Sequence, residues 1–160
     1  MKAIKIEKFG GPEVLELKDI EIGKPGPKEV LVKNNSIGLN YIDVYHRTGL
    51  YPLELPSGIG LEASGIVEEI GAEVSHFKVG DRVSHASAPI SGYSEKQIMP
   101  EEKLVIVPEG ISDEVASCIL LKGITSEYLL HRSYAAKKGD KVLFHAAAGG
   151  VGQILSLIHI

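Results

Sequence analysis

Glycine and proline interrupt the first half of the chain every few residues, and this limits what can form there. Gly10-Gly11-Pro12 and Lys24-Pro25-Gly26-Pro27 are turn sequences, because glycine reaches left-handed backbone angles and proline cannot donate a backbone hydrogen bond. The short stretches between such turns favour strands. The sequence therefore predicts a compact, barrel-like, mainly β domain. The predicted strands are Lys2–Ile6, Val14–Lys18, Glu29–Ser36, Ala63–Ile70, Arg82–Ala86, Tyr93–Met99 and Leu104–Val107.

Helices are predicted where capping residues bound an apolar stretch. Asn40 is a suitable N-cap and Gly49 a suitable end for a short helix between them. Ser112 predicts the start of a second helix, since the two acidic residues after it interact favourably with the helix dipole. Gly123 is expected to break the apolar stretch that follows, giving a further helix that ends near Lys138.

The character of the sequence changes near residue 122, and the second part contains a glycine-rich loop. Lys141–His145 is predicted to be a short strand ending in a hydrogen-bonded core histidine, and the loop "AAAGGVG" follows at once. Strand, loop and helix is the order that the dinucleotide-binding fingerprint G-x-G-x-x-G requires. Ala147, Gly149 and Gly152 occupy its three positions. Gly149 would let the backbone approach a pyrophosphate, and Gly152 would allow close helix packing. On the loop alone, nucleotide binding and an ordinary glycine-rich turn both stay open.

Composition excludes several classes of protein. The 160 residues carry a formal net charge of −4 with no basic block, which argues against nucleic-acid binding. No apolar run approaches the roughly 18 residues of a membrane span. The single cysteine, Cys118, excludes an internal disulfide and a cysteine-rich zinc site, and we expect it to be a buried apolar residue in a cytoplasmic protein.

Six separated motifs together carry a resemblance to one family. The motifs are "GGPEVL", "NYIDVYHRTGLYP", "LPSGIGLEASGIVEEIG", "VGDRV", "LLKGITSEYLL" and "HAAAGGVG". The chain resembles the zinc-free, zeta-crystallin-like quinone oxidoreductases of the medium-chain dehydrogenase/reductase superfamily over residues 1 to about 156. The resemblance implies a mainly β, GroES-like barrel domain (α+β) over 1–122 and the start of an α/β Rossmann domain over 123–160. It also implies NADPH in the cleft between the domains, hydride transfer to a quinone or a conjugated carbonyl, and a homodimer.

The resemblance predicts that no metal is bound. Zinc-dependent relatives have a cysteine ligand where Asn40 stands and a histidine ligand where Leu61 stands. Neither side chain can replace a thiolate or an imidazole, and Glu62 alone cannot hold the ion.

The same motifs imply the site residues. Asn40, Asp43 and Tyr51 are the implied catalytic residues, with Tyr51 lining the substrate cleft. The alternatives are that Asn40 and Asp43 only cap a helix and that Tyr51 is a half-buried loop aromatic. Thr125 and Tyr128 are expected to start a helix near the nicotinamide, where Thr125 also suits a cap. The implied cofactor-binding residues are Asn40, Tyr41, Ile42, Asp43, Tyr45, Thr125, Tyr128, Gly149, Gly150, Val151 and Gly152.

The last residues depart from the family pattern. "LSLIHI" is what CTG TCT CTT ATA CAC ATC encodes, and that string resembles a transposase adapter used for sequencing libraries. We therefore expect residues from about 157 to 160 to be non-native and the Rossmann domain to be truncated. The alternative is a natural fragment or a chance sequence.

The sequence thus predicts a fragment of an NADPH:quinone reductase that is inactive as this truncated chain. Two alternatives stay open: a zinc-free reductase of enals or enoyl thioesters, and a GroES-like module that binds a ligand without catalysis. Residues beyond 160 would be needed to separate NADPH from NADH.

Overall fold

The computed structural model describes the backbone of residues 1–159 and the side chains of residues 1–156. The chain divides into two compact units, Met1–Cys118 and 119–160, and each is described by itself. The predicted domain boundary near residue 122 stays a proposal. The predicted non-native segment from about 157 lies outside the residues whose side chains are described.

The first unit is built on two antiparallel sheets, so the mainly β first domain is confirmed. One sheet has the strand order β2-β1-β4 and the other the order β7-β3-β5-β6-β8. A single bridge between Ala3 and Ser94 joins β1 to the segment before β7. The strands are β1 (Lys2–Ile6), β2 (Glu16–Asp19), β3 (Glu29–Gly38), β4 (Ser57–Gly58), β5 (Glu62–Ile70), β6 (Arg82–Ala86), β7 (Lys96–Pro100) and β8 (Val105–Ile106).

Two predicted strands begin at least two residues later than expected because turns occupy their first residues. Pro12–Val14 form a 3-10 turn in which the Leu15 N–H donates to the Pro12 carbonyl at 3.2 Å, so β2 starts only at Glu16. Before β7, the Ser94 hydroxyl donates to the Ser91 carbonyl at 2.7 Å, which bends the segment expected to be extended.

Two apolar clusters hold this unit together. The larger one lies on the five-stranded sheet and consists of Val30, Val32, Val67, Val83, Met99 and Leu104. The smaller one consists of Ile6, Val14 and Ile59, and the ring of Tyr93 packs against it. This second cluster supports the segments that surround the candidate site.

Helix α1 (Tyr41–Thr48) confirms the prediction made from its capping residues. Asn40 is the N-cap in an extended conformation, and Gly49 ends the helix with a φ of 80°. That left-handed angle is favourable for glycine because it has no β-carbon.

The expected helix break at Gly123 is wrong. Helix α2 (Asp113–Glu127) runs through that glycine and continues as a π-helical turn, Tyr128–Ser133. A glycine inside a helix costs only about 1 kcal/mol relative to alanine, so the flanking helix-forming residues prevail. The helical run ends at Ser133, earlier than predicted. The predicted start is confirmed, because the Val115 N–H donates to the Ser112 hydroxyl at 3.3 Å.

The predicted strand Lys141–His145 is also wrong. Among the described residues no strand pairs with this segment, and a strand needs a neighbour for its backbone hydrogen bonds. His145 is exposed rather than in a core. Cys118 is exposed as well, because it lies on the opposite side of α2 from the buried Ala116. The glycine loop does lead into a helix, α3 (Gly150–His159). Within the described part of the chain, no helix is long and apolar enough to cross a membrane.

Candidate functional site

The N-terminus of helix α1 is the centre of the candidate site in the first unit. β3 ends at Gly38, where an added β-carbon would lie 1.9 Å from the Ser117 carbonyl oxygen, so glycine is required for the close approach that precedes the helix. The backbone N–H of Asn40 donates to Oδ2 of Asp43 at 3.0 Å, and the backbone N–H of Asp43 donates to the Asn40 carbonyl, also at 3.0 Å. The two predicted residues therefore fix one another.

The side chain of Asn40 points to a buried carboxylate. Its Nδ2 donates to Oε2 of Glu62 at 2.8 Å. Asn40 is 7% exposed and Glu62 is fully buried at the start of β5. Asp43 caps the helix, since its carboxylate accepts the Asn40 N–H, and its catalytic role stays a prediction. The side chain of Asn40 takes part in the capping box with Asp43, and its amide also binds Glu62.

Tyr93 is a residue of this site that the sequence did not indicate. Its hydroxyl donates to Oδ2 of Asp43 at 2.8 Å across 50 residues of sequence. Burial, together with the hydrogen bond to Asp43, raises the pKa of Tyr93 above its ordinary value, so the hydroxyl stays a donor. Oδ1 of Asp43 has no hydrogen-bond partner in the described part of the chain, and Asp43 lines a small cavity of about 100 Å³. No local pattern around Tyr93 could have indicated these contacts.

Three predicted tyrosines form an aromatic surface beside this polar centre. The rings of Tyr41 and Tyr45 meet edge to face with centroids 5.1 Å apart, and the rings of Tyr45 and Tyr51 are tilted at 5.3 Å. Tyr41 is 71% exposed and Tyr51 50% exposed. Ile42, the other predicted contact on this helix, is half-buried. Exposed rings in this arrangement offer a face on which a planar ring can stack.

Two buried histidines lie in the same unit. Burial lowers the pKa of His46, whose ring lies 6.2 Å from that of Tyr51. Burial also lowers the pKa of His85, to about 4, so this ring on β6 is neutral at physiological pH. In the part of the chain that is described, no group of three or more His, Cys, Asp or Glu side chains is arranged to hold a metal ion. The zinc-free assignment stays a prediction.

Thr125 and Tyr128 lie in the second unit and do not start a helix as expected. Thr125 is inside α2, where its hydroxyl donates to the Leu121 carbonyl at 2.7 Å, so it satisfies the helix backbone rather than capping it. Tyr128 begins the π-helical turn and is 54% exposed. Their contact with a cofactor stays a prediction.

The glycine loop leads tightly into α3. Ala146 has a φ of 55°, and the Gly149 N–H donates to its carbonyl at 2.8 Å. A β-carbon on Gly152 would lie 2.2 Å from the Ala147 carbonyl oxygen, so this glycine permits the loop to fold onto the first turn of the helix. Gly150 and the half-buried Val151 are the first two helical residues. The first N–H groups of a helix have no intrahelical acceptor, and they suit a phosphate.

Comparison with known proteins shows which domain family the chain matches. Residues 26–138 match the sequence profile of the alcohol dehydrogenase GroES-like domain. The chain is 54% identical over 152 residues to a quinone oxidoreductase of Pseudomonas aeruginosa, covering 94% of this chain and 47% of that protein. It is 43% identical over 159 residues to a 2-haloacrylate reductase of a Burkholderia species, covering 96% and 48%. The crystal structure of Escherichia coli quinone oxidoreductase complexed with NADPH superposes with a TM-score of 0.93 at 46% identity, covering 96% and 48%. The chain thus spans about half the length of the curated relatives it matches.

Proposed function

Because the chain belongs to the alcohol dehydrogenase GroES-like domain family, we propose that it supplies the catalytic domain of an NADPH-dependent quinone reductase. The observation that carries the proposal is the juxtaposition of two features on α1. A buried amide–carboxylate pair lies at the helix start, and a cluster of tyrosine rings is formed by Tyr41 and Tyr45 of the helix and Tyr51 just after it. The relatives named as quinone oxidoreductases support the reaction class.

Cofactor contacts are proposed within each unit separately. In the second unit, Gly149, Gly150, Val151 and Gly152 form the turn and helix start that would receive the pyrophosphate. Thr125 and Tyr128 are the further contacts proposed there. In the first unit, Asn40, Tyr41, Ile42, Asp43 and Tyr45 are proposed to contact the nicotinamide end. When bound, NADPH supplies the hydride, and the protein supplies orientation.

The catalytic residues act by positioning rather than by forming covalent bonds. The Asn40 amide is held by Glu62, so it cannot rotate freely and can orient a neighbouring polar group. Asp43 holds the Asn40 backbone. Tyr51 presents an exposed ring next to Tyr45, on which a quinone can stack. Fixing two reactants in one orientation is a large part of what an enzyme of this type contributes.

The proposal is tested with a chimaera in which residues 1–153 precede the second half of the Pseudomonas aeruginosa relative. We expect the chimaera to oxidise NADPH in a quinone-dependent reaction. Asn40→Ala should lower the rate, and Gly149→Val should lower it by weakening the affinity for NADPH. The exposed Tyr134→Phe is the matched control and should leave turnover unchanged. A folded chimaera without NADPH oxidation, beside an active relative, would refute the proposal.

The chain alone is proposed to be inactive. Its segment 141–145 forms no strand, and the chain spans about half the length of its relatives. Quinone-dependent turnover by the purified 160-residue chain would contradict this. We further propose that the whole protein is a homodimer, that it is cytoplasmic and that it binds no nucleic acid.

A second reaction is favoured by one comparison. The relative named 2-haloacrylate reductase points to conjugated carbonyl compounds as substrates, in agreement with the enal or enoyl reductase alternative. Comparing kcat/KM of the chimaera for a benzoquinone and for acrylate-type substrates separates the two reactions. Measurable NADPH affinity without turnover on either class would instead support the non-catalytic binding module.

A further inference from the structure

The backbone of Tyr93 is fixed by two different segments of the first unit. Its N–H donates to the Ile59 carbonyl at 2.9 Å, and its carbonyl accepts the Ile4 N–H at 2.8 Å. One partner lies in β1 and the other directly after β4, so the peptide groups on both sides of Tyr93 are hydrogen-bonded. Its main chain has little freedom to shift.

The ring of Tyr93 is fixed by a glycine beneath it. Gly60 has a φ of 92°, and a β-carbon there would lie 2.2 Å from Cδ1 of the ring. The ring also packs against the cluster of Ile6, Val14 and Ile59. Because backbone and ring are both held, the position of the hydroxyl is determined by the sheet and not by helix α1.

The hydroxyl reaches the carboxylate oxygen that also accepts the Asn40 N–H at the start of α1. Oδ2 of Asp43 accepts the Tyr93 hydroxyl at 2.8 Å and the Asn40 N–H at 3.0 Å. We propose that Tyr93 is a positioning residue that sets the orientation of Asn40 through this shared carboxylate oxygen. The fixed backbone of Asn40 then limits the orientation of its side-chain amide, which donates to Glu62. The consequence for a bound ligand rests on the proposed function of Asn40.

The proposal is tested on the 160-residue chain without cofactor, by NMR. Tyr93→Phe keeps the ring and removes only the hydroxyl. We expect the side-chain amide resonances of Asn40 to shift and hydrogen exchange of its backbone N–H to become about tenfold faster, the size that follows from losing one hydrogen bond to a charged group. The hydrogen-exchange rate of the Val32 backbone N–H, in the centre of β3, should change less. Tyr134→Phe, which alters an exposed tyrosine, should move neither signal.

A second variant tests the route through Asp43. Asp43→Ala should perturb the Asn40 resonances in the same way, and adding Tyr93→Phe should then have no further effect on them, since both changes break one chain of contacts. Unchanged Asn40 signals in Tyr93→Phe, equal acceleration at Val32, or additive effects in the double variant would overturn the proposal.

These outcomes are separate from those of the proposed function. If the chain takes part in no reductase, the wild-type chimaera fails to oxidise NADPH, while the Asn40 signals of the cofactor-free chain still respond to Tyr93→Phe. If the positioning role is wrong, the chimaera is active and those signals do not respond.

Discussion

Replacing Asn40 by aspartate is expected to make the stability of the chain strongly pH-dependent. Nδ2 of Asn40 lies 2.8 Å from Oε2 of Glu62, and both residues are buried. Asn40→Asp keeps the shape of the side chain but places a second carboxyl group where the amide donated a hydrogen bond. At this separation, two negative charges repel by about 6 kcal/mol if the effective dielectric constant is about 20. The folded variant will therefore keep a proton between the two groups.

The retained proton determines the sign of the pH effect. In the unfolded chain both carboxyl groups are ionised above about pH 5, so the folded variant binds about one proton more than the unfolded variant. Its free energy of unfolding should then fall by about 1.4 kcal/mol for each unit of rising pH, or about 4 kcal/mol between pH 5 and pH 8. A domain of this size has about 5–15 kcal/mol of net stability, so the loss is large.

Urea unfolding at pH 5, 6.5 and 8, followed by circular dichroism, measures this slope relative to the wild-type chain. Asn35→Asp is the matched control, because Nδ2 of Asn35 lies at the same 2.8 Å from Oδ2 of Asp113 but is exposed. Arg82 also bonds that carboxylate, at 3.0 Å. Exposed charge pairs contribute about 1 kcal/mol or less, so this variant should show little additional slope. Equal slopes in the two variants would refute the reasoning that burial controls the effect.

The remaining predictions concern a buried histidine, a glycine and metal content. Burial lowers the pKa of His85 to about 4, so the free energy of unfolding should fall by about 3 kcal/mol as pH falls from about 6.5 towards 4. A His85→Leu variant that kept this loss of stability in acid would contradict the prediction. Gly60→Ala should lower Tm more than Gly110→Ala, since both glycines have positive φ but only Gly60 faces a ring. With Asn40 and Leu61 at the ligand positions, elemental analysis should find no stoichiometric zinc, and about one tightly held zinc per chain would overturn that assignment.

Features that depend on neighbouring residues in sequence could be predicted. The strand Arg82–Ala86 and the helix between Asn40 and Gly49 have the predicted bounds, because turn and capping residues mark their ends. The fold class could be predicted from the same turn and capping residues together with the family motifs. Gly123 misled the prediction, since a glycine lowers helix stability by too little to end a helix whose neighbours favour it.

Features that depend on distant partners could not be predicted. Lys141–His145 has the composition of a strand, yet strand formation requires a paired neighbour, and none is present among the described residues. The contact between Tyr93 and Asp43 spans 50 residues, and nothing near Tyr93 in the sequence indicates it. The bond between Asn40 and Glu62 spans 22 residues, and it decides what the amide does.

Capping and function are not competing roles at the start of α1. An asparagine N-cap normally uses its own side-chain oxygen to accept an N–H of the first turn. The capping box at Asn40 includes this contact, the Asp43 carboxylate accepts the Asn40 N–H, and the Asn40 amide also donates to Glu62. Asp43 also accepts a hydrogen bond from the Tyr93 hydroxyl, so Tyr93, which lies outside the helix, anchors the helix start to the sheet. The capping interaction therefore fixes the backbone of Asn40, and this same fixed backbone is what a residue that orients a ligand requires.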